Sequence, residues 1–526
     1  MSKFINPYNF VPLPTTAPRQ PVETTPGWTS LSREGYSGYL EAEIITLTRL
    51  FIPSRAEDDL HSELTNDKHQ EKKHPVYKKY IYDITTGQKI IPATSVKGPV
   101  RAVMEALSDS CLGLFGGKYK KDRQDQKRRL DYRAKAPSEL IPGRCRLRSS
   151  AGGPVTDPAD GLCVCCRLFG IAAGGGTEPE AGDYTALQGR LSFEDFYLAD
   201  TSREKISTTS ITLPELSDPK PWHAPFYLDG SGSIRGRKFY LHHELVDLHT
   251  KIKTKRNCTI QESILAGAGF TGRIRFTNLS ASELGLLLWG LELDDSPPFD
   301  ADGNLTPNLL AHKLGMGKPL GLGSVKIRVT GLALADAAER YAAFSWPAEG
   351  QAKLTPTLEG NKLRTRLDEL KKQWADNAFQ NREQLRTLLT FPTSRTHVVR
   401  YPHNNWFRDC SHIDLPQDGI LADPCSPLGG DTSTVPPKLS QPPYKGKTVA
   451  AAKTKKGKQK KIGPTELIVP IIEVTAKGVR VEVKGQSLIV AGVSPYLGVK
   501  PHDRLKIRLT QTPDGRLKAE FKGIVR

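Results

Sequence analysis

Two strand-helix units joined by a long insertion predict an α+β protein built on a ferredoxin-like (RRM-like) domain. The first unit lies at 38–107 and the second at 270–332. At 526 residues the chain also exceeds what one core usually supports, so further pieces are expected around that domain.

Residues 1–37 are rich in Pro and Thr with few periodic apolar positions, and read as an extended N-terminal arm. Gly38–Ile52 (GYLEAEIITLTRLFI) mixes β-branched and apolar residues without an internal Pro, as a core strand does. After a charged loop, IIPATSVKGPVRAVMEAL (90–107) reads as a turn feeding a helix. Val96, Val100, Val103, Met104 and Leu107 recur at helical spacing, with Thr94 or Ser95 as cap. The second unit opens with a strand at Phe270–Asn278. Ser280 and Glu283 form a capping box before ELGLLLWGLEL, and Ser324–Leu332 returns as a strand.

The ferredoxin-like domain is thus expected over 38–345, with an insertion at 108–190. Residues 346–424 form a helical extension, with apolar spacing at Leu363, Leu367, Leu370, Trp374, Leu385 and Leu388. A Pro-rich, then Lys-rich stretch at 425–464 reads as a linker, whose lysines could also touch RNA loosely. Short β-branched runs broken by turns predict a small all-β module over 465–526, for which a barrel-like arrangement is one reading.

Lys and Arg total 75 against 57 acids, a formal charge of +18, which favours a polyanionic partner. Residues 118–148 alone carry twelve Lys or Arg against four acids. No apolar run reaches the ~20 residues of a membrane helix, and the first residues lack a signal-peptide apolar region, so a cytosolic protein without a membrane partner is expected. Eight cysteines are too sparse for a disulfide scaffold.

Three constellations carry chemistry. In HKLGMGKPLGLGSVKI (312–327), Gly315, Gly317, Gly321 and Gly323 punctuate a loop around Lys318, letting backbone N–H groups approach a phosphate or base. It is not a Walker A loop, because Pro319 follows Lys318 and a strand follows the loop. A plain glycine turn is the other reading. Arg235, Arg237 and Lys238 in GSIRGRKFYLHH interleave cations with aromatics, which suits single-stranded RNA and equally suits a surface hairpin. Cys163 and Cys166 make a C-x-x-C which, with Cys145 and Cys111, could close a tetrahedral zinc site; Cys165 is a substitute candidate for one of them, and buried reduced thiols are the alternative.

The strand GYLEAEIITLTRLFI, the turn-helix IPATSVKGPVRAVMEAL, CVCCRLFG (163–170) and HKLGMGKPLGLGSVKI, in that order, resemble the RAMP superfamily of CRISPR-associated proteins. The closer likeness is to backbone subunits of type III effector complexes, type III-D-like with a single RAMP unit. NPYNFVPL, LSDPKPWHAPFYLDGSGSIRGRKFYLHH (216–243) and GFTGRIRFTNLSASELGLLLWGLEL (269–293) echo it, and the likeness spans roughly residues 5–335.

The resemblance implies a cytoplasmic, prokaryotic subunit whose partners are CRISPR guide RNA (crRNA), target RNA and other RAMP-type subunits, acting in antiviral defence. It implies that the helix after the turn lies along the guide, placing Ser95, Lys97 and Arg101 on its phosphates, with the glycine loop close to the same strand. Related proteins carry zinc in the insertion.

Some relatives also cut target RNA with a loop aspartate and Mg2+ or another divalent ion. Here the loop offers Asp58, Asp59, Asp67 and Asp83, but Lys73 and His74 stand where cutting relatives have the aspartate before Pro-Val. Asp58, Asp59 and Asp67 are the candidate catalytic residues, with His61, His69 and His74 as a metal-free alternative. A non-catalytic RNA-binding subunit is the leading expectation; a general RNA-binding protein acting through its C-terminal module is a further one.

Overall fold

The computed structural model describes residues 3–21, 35–54, 76–113, 115, 118–120, 129–141, 144–145, 161–171, 187–214, 224–244, 258–335, 357–392, 394–402, 406, 410, 413–422 and the strands between 465 and 525. These fall into two units, Met1–Pro437 and Lys438–Arg526.

In chain order the first unit uses β1 (Lys3–Ile5), β2 (Tyr8–Val11), β3 (Tyr36–Thr46), β4 (Val76–Lys79), β5 (Ile90–Ile91) and α1 (Ala93–Leu107). Next come α2 (Val164–Phe169), β6 (Leu191–Phe193), β7 (Phe196–Leu198), β8 (Arg237–Tyr240), β9 (Cys258–Gln261) and β10 (Gly269–Leu279). Then α3 (Ala281–Glu292), β11 (His312–Lys313), β12 (Ser324–Leu334), α4 (Gly360–Lys372), α5 (Glu383–Leu389) and β13 (Ile420–Ala422) complete it.

This is a mixed α+β unit on a seven-stranded sheet in the order β11-β12-β3-β10-β7-β5, with β6 also pairing β10. Neighbouring strands run antiparallel throughout. Along β3, Leu40, Ala42 and Ile44 are buried while Glu41 and Glu43 are half-buried, the alternation of a strand with one covered face.

α1 and α3 pack against each other: a Cβ on Gly290 would stand 2.4 Å from Met104 Cγ. α3 is apolar nearly all round because the sheet covers one side and α4 the other. Its N-terminus is closed by the predicted Ser280–Glu283 capping box. α1 is capped differently: Pro92 occupies the cap position, and the Asp195 carboxylate accepts from Ala93 N at 2.7 Å. Neither Thr94 nor Ser95 caps it, since a residue more than a hundred positions away has taken the role.

The N-terminal residues are extended, as two short strands rather than a free arm. β1 pairs with β13 and β2 with β8, and Phe4, Tyr8 and Phe10 join Phe226, Trp406 and Leu421 in a small core.

The second unit contains β14 (Thr465–Thr475), β15 (Gly478–Val483), β16 (Gln486–Val490), β17 (Arg504–Gln511) and β18 (Leu517–Val525), antiparallel in the order β16-β15-β14-β17-β18. The stretch read as a linker, 425–464, lies outside the described residues. No helix among the described residues is long and apolar enough to cross a membrane.

Candidate nucleic-acid interface and metal centre

The four cysteines singled out in the sequence come together in the fold. Cys111 follows α1, Cys163 precedes the first turn of α2, Cys166 stands three residues on, and Cys145 arrives from the insertion. All four are buried, and their sulfurs lie within 4.8 Å of one another. Cys111 Sγ is 3.4 Å from Cys166, 3.6 Å from Cys163 and 3.8 Å from Cys145. Four thiolates at ~2.3 Å from a tetrahedral zinc would stand about 3.8 Å apart, so the cluster fits that ion.

Hydrogen bonds among the thiols raise the pKa of Cys111 and Cys166 and hold those of Cys145 and Cys163 down. Cys165 points elsewhere, 3.6 Å from Ser108 Oγ, and burial pushes its thiol up to about 12. It is not one of the four.

On α1, Ser95 and Lys97 are half-buried in the first turns. Lys97 Nζ and the Arg101 guanidinium lie 5.9 and 5.5 Å from the centre of the Phe169 ring, so one aromatic face orients both cations. Burial lowers the Lys97 pKa, and the Arg101 charge adds to this. Arg101 Nε donates to Glu105 Oε1 at 2.8 Å.

The cations of the 235–238 segment divide. Arg237 is buried, donating to Glu105 Oε2 at 2.9 Å and to the carbonyls of Ser110 and Cys111, so it braces the loop that carries the first cysteine of the cluster. Arg235 donates to the carbonyls of Leu228, Leu415 and Pro225 and stitches three loop segments together. Lys238 sits over the rings of Tyr8 at 3.8 Å and Tyr240 at 4.9 Å, and burial lowers its pKa to about 8.

Around the glycine-rich loop, Gly315, Gly317, Gly321 and Gly323 all have positive φ. Part of that glycine content is structural, since a Cβ on Gly323 would lie 1.9 Å from Leu314 O. Between the glycines Lys318–Leu320 forms a single tight turn.

At the loop is a cluster of basic groups. Lys313 is buried with its ammonium on Leu322 O at 3.0 Å, and burial, reinforced by the charges of Lys318 and Arg395, pulls its pKa well below the usual lysine range. Burial also lowers Lys318, and it brings Arg395 down to about 10. Arg395 Nη2 donates to His242 O at 2.8 Å, while its buried Nε has no partner. Among the described residues no carboxylate pairs with any of the three.

Lys313 stands in the same motif as the glycines, and its alternating position in a strand gave no sign of burial. Arg395 comes from the helical extension, and no local signal in the sequence ties it to this loop.

Asp58, Asp59 and Asp67, with His61, His69 and His74, lie outside the described residues. Asp83 is engaged in a turn: its carboxylate accepts from Thr85 N at 2.7 Å, Thr86 N at 3.0 Å and the Tyr197 hydroxyl at 3.1 Å. Those backbone N–H groups lower its pKa.

Among curated proteins none matches the chain. The model of the RAMP superfamily matches residues 43–326, a span that runs from β3 through α1, the cysteine cluster, α3 and the glycine-rich loop into β12. With more than half of its length accounted for in this way, the chain belongs to the RAMP superfamily, a family of CRISPR-associated RNA-binding proteins.

Proposed function

We propose that the chain is a guide-RNA-binding subunit of a type III CRISPR effector complex, holding crRNA along α1 and the glycine-rich loop and presenting it to target RNA beside other RAMP-type subunits. The observation that carries this reading is the cluster of Lys313, Lys318 and Arg395 at the loop, which no carboxylate pairs with among the described residues. One buried and two half-buried cations with no carboxylate partner among the described residues leave the free protein incompletely compensated, and a phosphodiester chain would supply the missing anions.

Two further features support it. The strand order β12-β3-β10-β7, with α1 after β3 and α3 after β10, agrees with the 4-1-3-2 order that a ferredoxin-like unit would have. The four-cysteine cluster, with zinc bound, would tether the insertion at 108–190 to the end of α1. Phosphate contacts position RNA without reading its sequence, which suits a subunit that must accept any guide.

The test is expression with the neighbouring genes, purification through this chain, and sequencing of the bound RNA. Repeat-derived RNA of uniform 5′ end is expected, and its yield falls in Lys318→Glu. Mixed cellular RNA would overturn the proposal. Assaying the same complex on target RNA, with Asp67→Ala beside wild type, separates a subunit that only holds RNA from one that also slices it.

A further inference from the structure

A cleft of about 360 Å3 opens beside α1, on the side away from its buried Val96, Val100, Val103 and Leu107. Gly98, Arg101, Ala102 and Glu105, spaced i, i+3, i+4 and i+7, share one side of the helix and form one wall. Phe10, Tyr227 and Phe239, from β2, the 224–227 turn and β8, form the facing wall. The volume is within the roughly 300–1,000 Å3 range of small-ligand pockets.

Gly98 is the telling residue. It has ordinary helical backbone, and a Cβ there would meet nothing within 4 Å, so neither φ nor packing calls for glycine. Glycine inside a helix is destabilising relative to alanine, and here the fold gains nothing visible in return. What it leaves is open space at the mouth of an aromatic cleft, next to Lys97 and Arg101. The Glu105–Arg237 pair closes the inner end with both an acceptor and a donor group.

We propose that this cleft receives one unstacked nucleobase of the RNA strand passing over α1. The base enters past Gly98 and packs on the Tyr227 and Phe239 rings while its phosphates remain on Lys97 and Arg101. The inference rests on the RNA-holding role argued above. Aromatic faces hold any base, so the site selects single-stranded RNA without selecting sequence.

The experiment uses the full chain and a single-stranded RNA carrying 4-thiouridine, photo-crosslinked and mapped by mass spectrometry, with affinity measured in parallel. Crosslinks to Tyr227 or Phe239 are expected. In Gly98→Leu, which improves helix propensity and fills the mouth, their yield falls about tenfold or more while affinity on a long strand changes less than about threefold. Ala102→Leu, one turn on, repeats the block from a second position. Binding with crosslinks only elsewhere, or crosslinks indifferent to both variants, overturns the base cleft and leaves the RNA-holding role standing. Absence of RNA binding by the wild-type chain overturns both.

Discussion

Three buried carboxylates in this fold each gather two basic side chains. Glu105 holds Arg101 and Arg237, Glu283 holds Arg167 and Arg190, and Glu292 holds Arg364 and Lys371. Glu292 also accepts from Val329 N at 3.0 Å, so it satisfies a backbone N–H of β12. Removing one member of such a set strands buried charge, and Glu292→Ala is expected to cost about 3–5 kcal/mol in denaturant unfolding. The buried histidines give a pH signature. Burial lowers His312 to about 4 and His243 to about 3. Below the ordinary histidine value of ~6.5 the unfolded chain takes up protons that the folded chain refuses. Stability therefore falls as pH drops from about 6.5 towards 4, by up to about 1.4 kcal/mol per pH unit for each histidine. Melting temperature measured at pH 7 and pH 5 should show this fall, and His312→Gln should reduce it. At this scale the sequence was legible where chemistry is written in spacing: the C-x-x-C and two upstream cysteines form the cluster. It was not legible for Arg235 and Arg237, whose partners are carbonyls and a carboxylate that only the tertiary fold delivers.

The helices show which local signals are strong. The Ser280–Glu283 box is written within four residues, and it formed as read. The cap of α1 depends on Asp195, on the far side of the insertion, so no window of local sequence contains it. The contact of α3 with α4 can be tested at Gly285, where a Cβ would lie 2.3 Å from Leu370 O and 3.2 Å from Trp374 Cβ. Helix propensity alone would make Gly285→Ala stabilising by about 1 kcal/mol, whereas overpacking costs about 1–3 kcal/mol. Because the clash is with backbone, overpacking should win, and a net loss of melting temperature is expected. The four-cysteine cluster is an element-scale feature as well, joining the end of α1 to the start of α2. Cys163→Ser, or chelation, should lower bound zinc and speed tryptic cleavage at Arg144, whose neighbour Cys145 is a ligand candidate.

For the molecule as a whole, a formal charge of +18 makes RNA binding salt-dependent. If Lys313, Lys318 and Arg395 each neutralise one phosphate of a single strand, their share of the weakening as salt rises from 50 to 200 mM is about twentyfold. Lys318→Ala should reduce that to about sevenfold, and an unchanged salt slope would remove Lys318 from the interface. The domain-level reading was carried by the two strand-helix units and their order. The N-terminal residues were the least readable, since their Pro and Thr content hides Phe4, Tyr8 and Phe10, which are buried only because β8 and β13 cover them.

That pairing of the first strand with one at Ile420–Ala422 sets a clock on biosynthesis. At about 5–20 residues per second a ribosome needs on the order of tens of seconds between the two. Throughout that interval the edge of this strand, with Phe4 and Ile5, is left unpaired on the nascent chain, a ready template for association with other chains. Early arrest before residue 420 should therefore yield aggregation-prone fragments rather than a smaller working protein, and the full chain should depend on chaperones more than its stability alone suggests.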